Sequence, residues 1–339
     1  MNNVSIIIPC FNEEKTITKL LSGLYEQTYP HSAMEIIIAD GLSTDNTRRK
    51  ISEFCEDHPD FRILVIDNPQ KTIPSGLNIA IQAAKGEYIV RLDAHSIPAI
   101  DYIEKCVIGL ERNLGDNVGG IWIIQPSNNT WIAESIAKAA SSSIGVGNAN
   151  YRLNSRSGEV DTVPFGSFKK SYLLEVGGFD ENLLTNEDYE LNTRIRKNGG
   201  KIWLDNSIRS TYFARPTYKK LASQYWRYGW WKGQMLKRYP NTIKWRQALP
   251  PLFVLGLAII LGLSIFQPLY LSLFFTIMFS YILILVIYSW IIGLKNKKPA
   301  FMIGIPCAIM IMHFCWGSGL LIGMFTQPQK TRITDKLVG

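Results

Sequence analysis

At 339 residues the chain is long enough for one large folded domain with a second region attached. A formal net charge of +8 would suit nucleic acid, but the basic residues are dispersed apart from short groups, Lys219-Lys220 and the stretch 227–238, beside an uncharged region. That placement suits anionic lipid, and nucleic acid is not expected as a partner. The five cysteines, Cys10, Cys55, Cys106, Cys307 and Cys315, show no CxxC spacing, which excludes a disulfide framework or zinc cluster.

The first apolar run, residues 4–8, predicts a buried strand. It is too short for the apolar core of a signal peptide and has no basic flank, so the polar part of the chain is expected not to be exported. An amphipathic helix follows over 13–27, then a strand over 35–39, a helix over 44–56, a strand over 61–66, a helix over 75–84 and a strand over 88–92. This βαβαβαβ order implies an α/β fold with a doubly wound, mostly parallel sheet.

Three predicted strands run out into polar loops: Pro9-Cys10-Phe11-Asn12-Glu13, then Asp40-Gly41-Leu42-Ser43-Thr44-Asp45, then Asp93-Ala94-His95. Singly, Asn12 and Ser43 or Thr44 read as helix N-caps, Asp93 as a turn residue and His95 as a loop histidine. In a parallel sheet, however, the three loops converge on one edge, where ligands bind in open α/β folds. Their carboxylates suit the hydroxyls and ring N–H of a nucleoside, and nearby helix N-termini suit phosphate. Neither GxGxxG nor a Walker phosphate loop is present.

Residues 113–157 show no pattern that points to chemistry. Further on, Asn186-Glu187-Asp188-Tyr189-Glu190-Leu191 opens a predicted helix with acids in its first turn, where the helix dipole alone would favour them. From Leu249 to Gly293 there is no charged residue or histidine, about twice the ~20 residues that one membrane helix needs. Gln267-Pro268 divides this run, giving spans at about 249–266 and 269–293, with a third apolar segment at about 300–325. Lys295, Lys297 and Lys298 place the second loop in the cytoplasm, together with the amino-terminal domain. Lys330, Arg332 and Lys336 would then lie outside if the third segment crosses, a conflict with the same rule. Pro306, His313 and the glycines 317, 319 and 323 leave that segment broken, re-entrant or closely packed on its neighbours.

The opening motifs resemble those of the family 2 glycosyltransferases, inverting sugar-nucleotide transferases of the GT-A fold, and the likeness covers about residues 3–235. In length and membrane tail the chain is similar to bacterial enzymes that extend lipid-linked intermediates of exopolysaccharide or capsule, such as the succinoglycan glucosyltransferases. The resemblance implies a GT-A domain at 1–235, a juxtamembrane linker at 236–248, a membrane domain of about three helices at 249–326 and a tail at 327–339, held in the bacterial inner membrane. It implies Pro9, Asn12, Glu13, Asp40 and Asp93 at the nucleotide, with Asp40 on the uracil ring. Asp93 and His95 would hold a divalent metal; because His95 replaces the usual second acid, the preference tilts from Mg²⁺ toward Mn²⁺. Asp188 becomes the general base, with Glu187 positioning the acceptor or the base. Gly166, in the segment 161–168, would let the backbone approach an acceptor sugar.

Gln224-Tyr225-Trp226-Arg227-Tyr228-Gly229-Trp230-Trp231-Lys232 is similar to the QxxRW motif of processive members, with Tyr228 and Gly229 inserted. Gln224, Arg227, Trp230 and Lys232 are accordingly expected at the acceptor or a diphosphate, or the aromatics form an interfacial belt. The expected partners are a UDP-sugar donor, a lipid-linked saccharide acceptor and the membrane; association with other polysaccharide-assembly enzymes stays open. Transfer to polyprenyl phosphate itself, or a non-catalytic scaffold that binds the nucleotide sugar, are the alternatives.

Overall fold

The structure, a computed structural model, describes residues 3–153 and 155–327, so the tail cations Lys330, Arg332 and Lys336 lie outside the described residues. The expected alternation is present as β1 (Val4–Cys10), α1 (Ile17–Tyr25), β2 (Met34–Asp40), α2 (Thr47–Asp57), β3 (Ile63–Asp67), α3 (Ile73–Ala83) and β4 (Tyr88–Arg91). Then come β5 (Ile97–Pro98), α4 (Tyr102–Glu111), β6 (Asn117–Pro126), α5 (Trp131–Ala140), α6 (Ser143–Val146), β7 (Gly158–Glu159) and β8 (Ser167–Lys169). The chain continues through α7 (Lys170–Glu175), α8 (Glu187–Lys197), β9 (Ile202–Ala214), α9 (Tyr218–Arg238), α10 (Trp245–Leu263), α11 (Leu269–Asn296) and α12 (Phe301–Phe325). Two compact units result: residues 3–123, 150–153 and 155–212 form one, and 124–149 with 213–327 the other.

In the first unit the strand order is β3-β2-β1-β4-β8-β6-β9-β5, with β7 beside β9. The pairs among β3, β2, β1 and β4 are parallel, whereas β8 is antiparallel to β4 and β6, and β5 and β7 are antiparallel to β9. Every residue of β1 is buried, as a central parallel strand with helices on both faces requires. Strand alternation sends Ile6, Ile8, Ile36, Ile38 and Val90 into one core with α1 and α4, and Ile7, Ile37, Ala39 and Ile89 into the other with α3 and α8. The third strand differs from the rest: β3 is an edge, and Leu64 is 48% exposed.

The first two helices start three or four residues later than their apolar periodicity suggests. The Glu13 N–H donates to Thr47 Oγ1 (2.8 Å) and the Glu14 N–H to Asp45 Oδ2 (3.1 Å), while the Thr44 N–H donates to Asn12 Oδ1 (2.8 Å). These bonds tie the two loops together ahead of the helices, whose N-cap positions are Thr16 and Asn46, so Asn12 and Thr44 are joint residues and cap neither helix.

In the second unit, α10, α11 and α12 are long and apolar enough to cross a membrane. Gln267-Pro268 lies in the turn between α10 and α11, as expected. α12 is continuous through Pro306 and its glycines. Of the alternatives open for this segment, close packing is observed: a Cβ on Gly319 would lie 2.5 Å from the Trp226 carbonyl, and one on Gly317 2.6 Å from the Pro250 carbonyl.

Candidate active site

The parallel strands β1, β2 and β4 end side by side, and their loops interlock. Asn12, at φ +54°, donates its N–H to Ser43 Oγ (2.9 Å). Asp40, the last residue of β2, is fully buried and accepts from the Ser43 N–H (3.0 Å), the Ser43 hydroxyl (2.5 Å) and Arg48 Nε (2.5 Å). Both of its oxygens thus hold the loop, and Arg48 reaches on to Asp67 at the end of β3 (2.5 Å). Burial works against the charge of Asp45, but hydrogen bonds from Thr47 and Glu14 outweigh it and hold the carboxyl below its ordinary value. Burial first, then the neighbouring carboxylates of Asp40 and Glu13, push the Cys10 thiol up. It stays protonated and is no nucleophile.

From the end of β4, His95 brings Nδ1 to 3.2 Å from Glu13 Oε1, joining the first and third loops. The strand also carries Arg91, whose side chain is 2% exposed. Its Nη2 donates to Asp93 Oδ1 (3.1 Å) and to Glu187 Oε1 (2.9 Å), and its Nη1 pairs with Asp188. Burial opposes the guanidinium charge, and Asp93 and Glu187 overcome it, holding the pKa above its ordinary value. The expected donor-side acid and the expected acid pair therefore meet around one cation. Sequence reasoning missed this residue; the signal was a charge between Val90 and Leu92 in a strand otherwise buried and apolar.

Asn186, at φ +68°, turns the chain into α8 so that Glu187 and Asp188 fall in its first turn. Glu190, in the same turn, has a different task. It is fully buried and takes Arg194 Nε and Nη2 (2.7 Å each), and Arg194 donates on to the carbonyls of Val176 and Gly178 (2.5 Å each). Farther along α8, Asn192 accepts from Asn117 Nδ2 (2.7 Å) and donates to Thr162 Oγ1 (2.9 Å), fixing the helix to β6 and to the 161–166 loop. Gly166, at φ +93°, is held by packing: a Cβ would lie 2.5 Å from Asn117 Oδ1 and 2.9 Å from the Phe168 ring. Packing alone accounts for glycine there, without an approaching sugar. Non-glycine residues in the left-handed region gather on these loops, at Asn12, Leu42, Phe165 and Asn186, as backbone strain does at functional sites.

Residues 5–173 match the family model described as Glycosyl transferase family 2. Over 334 residues, 96% of this chain and 98% of the other, the sequence is 30% identical to the dolichyl N-acetyl-alpha-D-glucosaminyl phosphate 3-beta-D-2,3-diacetamido-2,3-dideoxy-beta-D-glucuronosyltransferase of Methanococcus voltae. The chain belongs to glycosyl transferase family 2. This family 2 enzyme is also 30% identical to the succinoglycan biosynthesis protein ExoA of Rhizobium meliloti, over 72% of its own length and 73% of that protein. Among solved structures it is similar to the mannosyltransferase PcManGT of Pyrobaculum calidifontis, in complex with GDP-Man and Mn2+, with a TM-score of 0.63 at 18% identity over 92% of this chain and 86% of that one. The shared fold is GT-A, and the enzyme is a nucleotide-sugar-dependent glycosyltransferase.

Among the described residues of this glycosyltransferase, no group of three or more His, Cys, Asp and Glu is placed to hold a metal ion. Asp93 and His95 supply one carboxylate and one imidazole. That donor set fits an ion held partly by substrate oxygens, as ions at nucleotide phosphates are, and does not fit a closed protein cage. The residues expected at a diphosphate all lie on α9, in the second unit. Gln224 is buried and donates to Tyr228 Oη (3.0 Å). Arg227 Nε is buried with no hydrogen-bond partner. Trp230 Nε1 donates to Thr326 Oγ1 (2.9 Å). Lys232, 1% exposed, turns its ammonium inward to the Thr242 carbonyl (3.4 Å) and locks α9 to the following turn.

Proposed function

We propose that the enzyme moves a sugar from a UDP-sugar to a polyprenyl-diphosphate-linked saccharide with inversion at C1, acting from the cytoplasmic face of a bacterial inner membrane. The observation that carries this reading is the junction at Arg91, which brings Asp93 to the same place as Glu187 and Asp188. Donor-side and acceptor-side carboxylates are then close enough to serve one reacting centre.

In this reading residues 1–235 carry the transfer chemistry, 236–248 link them to the membrane segment 249–326, and Lys295, Lys297 and Lys298 set the orientation. Pro9, Asn12 and Glu13 border the nucleotide. Asp40 shapes its base pocket through the loop that it anchors, and Asp93 meets the ribose. Asp188, whose side chain is 28% exposed, takes the proton of the acceptor hydroxyl as that oxygen bonds to C1. Glu187, almost buried on Arg91, orients it. The bond from C1 to the diphosphate oxygen breaks, and the nucleoside diphosphate leaves with that electron pair. Asp93 and His95 would hold a divalent ion, which would supply neutralisation of the leaving diphosphate. Arg227, with its unpartnered buried Nε, is the α9 group best suited to a phosphate oxygen. That the Methanococcus voltae relative is named for a dolichyl phosphate saccharide supports a lipid-linked acceptor.

The test is release of nucleoside diphosphate by the detergent-solubilised protein over a panel of sugar nucleotides, with Mn²⁺ or Mg²⁺ and native lipid extract. One UDP-sugar should turn over, and Asp188→Asn should lower the rate by about 10²- to 10⁴-fold, the usual weight of a general base. Equal rates for the two proteins remove Asp188 from the chemistry. Turnover with polyprenyl phosphate as sole acceptor replaces the saccharide by the lipid phosphate itself.

A further inference from the structure

The three apolar helices are not equivalent. In the apolar stretch of α12, 44% of residues are buried inside the protein, against 11% in α10 and 6% in α11. The cover comes from α5, α6 and α9 and runs along the whole helix. Near its start, Gly304 lies against Ser135 and Trp131 of α5, and its carbonyl accepts from Tyr218 Oη (3.1 Å). At its middle, one ring nitrogen of His313 is 3.0 Å from the Ile144 carbonyl of α6, and the other meets Tyr281 Oη of α11 (3.0 Å). Toward its end, Gly319 and Gly323 lie against the backbone of Trp226 and Trp230, and the Thr326 carbonyl accepts from Gln234 Nε2 (2.7 Å) and from Lys237. These partners advance together in sequence, so α9 and α12 run side by side in the same direction for about two turns.

α9 cannot lie in the hydrocarbon core. It carries Lys219, Lys220, Arg227, Lys232, Lys237 and Arg238, and a basic residue at the centre of a membrane helix costs about 2.5–3.5 kcal/mol on insertion scales. A helix packed beside α9 shares its depth. The height of α12 is also marked by α10: Trp316 Nε1 donates to the carbonyl of Gln247, in the first turn of α10 (3.2 Å). Two thirds of the way along α12, the chain is therefore still level with the end of α10 where that helix begins.

Helix lengths agree with this. α10 has 19 residues and α11 has 28, which is about 28 and 42 Å of helix against a hydrocarbon core of about 30 Å. α11 must overhang, and its buried residues, Leu285, Ser289 and Gly293, all fall in its second half; Leu285 packs in one cluster with Phe301, Ile305 and Ile309 of α12, and Gly293 lies against Met302.

We propose that α12 does not cross the bilayer. With α5 and α9 it forms an amphipathic layer seated at the headgroup and upper acyl level of one leaflet, its partner an anionic lipid surface, and the α10–α11 hairpin alone spans the membrane. The layer matches that partner in charge, through the basic residues of α9, and in apolarity, through exposed Ile303, Ile322 and Phe325 of α12. It also removes the conflict in the sequence. A chain that does not cross at α12 keeps to the side that Lys295, Lys297 and Lys298 set before it.

The full chain, tagged at its amino terminus, between Gln267 and Pro268, or after Gly339, is probed with an impermeant protease in sealed vesicles of both orientations. The two terminal tags should be cut from one side and the internal tag from the other; a carboxyl-terminal tag that sides with the internal one overturns the proposal. Independently, a nitroxide at Ile311→Cys, with Cys55, Cys307 and Cys315 replaced by serine and Cys10 and Cys106 buried, is measured in vesicles containing phosphatidylglycerol. Immersion at headgroup to upper acyl depth is expected, and a label at the bilayer centre overturns the proposal even where the tags agree with it.

Discussion

Arg91 Nη2 lies 2.9 Å from Glu187 Oε1, although 96 positions separate the two residues in the chain. With Asp93 and Asp188 on the same guanidinium, one buried cation compensates three carboxylates. Arg91→Met leaves those acids facing one another without it, and breaking a buried ion pair from one side costs about 3–5 kcal/mol. A large fall in Tm and loss of turnover are expected. Arg91→Lys keeps the charge but not the planar fork that reaches several acids at once, so the protein should fold and lose most of its kcat. Thermal unfolding and nucleotide release on both variants check this; a methionine variant with unchanged Tm and rate would show that the acids need no common partner.

Metal binding should depend on the nucleotide. Asp93 and His95 provide two ligands, and nearby Glu13 is already bonded to His95 and Thr16. An ion without diphosphate oxygens would lack most of its coordination shell. Titration of Mn²⁺ followed by electron paramagnetic resonance should show weak binding to the protein alone and tight binding with UDP, lost in Asp93→Asn. Replacing His95 by aspartate adds a hard anionic ligand and should raise activity with Mg²⁺ relative to Mn²⁺. Tight Mn²⁺ binding without nucleotide would mean that the ion sits elsewhere.

The parallel half of the first unit was legible because its strands are mostly apolar runs followed by a polar loop, as in 4–8 before Asn12 and 88–92, broken only by Arg91, before Asp93. The antiparallel half was not. β7 and β8 have two and three residues, too few to show a period, and β9 alternates buried and exposed positions irregularly. The stretch 113–157 looked featureless because part of its purpose is to cover α12, and the Ser135 that meets Gly304 carries no signal of that contact in its own neighbourhood. The acid pair stood out at a helix start, where the dipole alone would explain it, and only the family resemblance gave it a catalytic role. Its link to Asp93 did not stand out, because a contact across 96 positions leaves no local trace and Arg91 reads as one charge in a strand.

Acid should loosen the joint between the first two loops. Asp45 accepts from the Thr47 N–H (3.0 Å), the Thr47 hydroxyl (2.5 Å) and the Glu14 N–H (3.1 Å), bonds that favour the ionised form. Its folded pKa is lowered from 3.8, so its contribution is present in full above the unfolded value and fades as pH falls through the folded one. Asp45→Ala should therefore be less stable than the native chain near neutral pH, and the difference should shrink below pH 3.8. Unfolding midpoints of both proteins across that range measure it; a constant gap would assign the loss to something other than the carboxylate.

Glycines of the second unit should divide sharply on substitution. A Cβ on Gly323 would collide with the Trp230 carbonyl and one on Gly229 with the Trp316 carbonyl, whereas Gly256 and Gly262 of α10 have nothing within 4 Å. The first pair lets α9 and α12 approach backbone to backbone, an arrangement in which small residues are needed for packing. Forcing a side chain into a close-packed contact costs about 1–3 kcal/mol. Gly323→Leu and Gly229→Leu should lower the unfolding temperature in detergent and free Trp230 from Thr326, seen as a shift in tryptophan fluorescence. Gly256→Leu and Gly262→Leu should change neither. Equal effects from all four substitutions would mean that helix propensity, and not the α9–α12 contact, sets the stability of this unit.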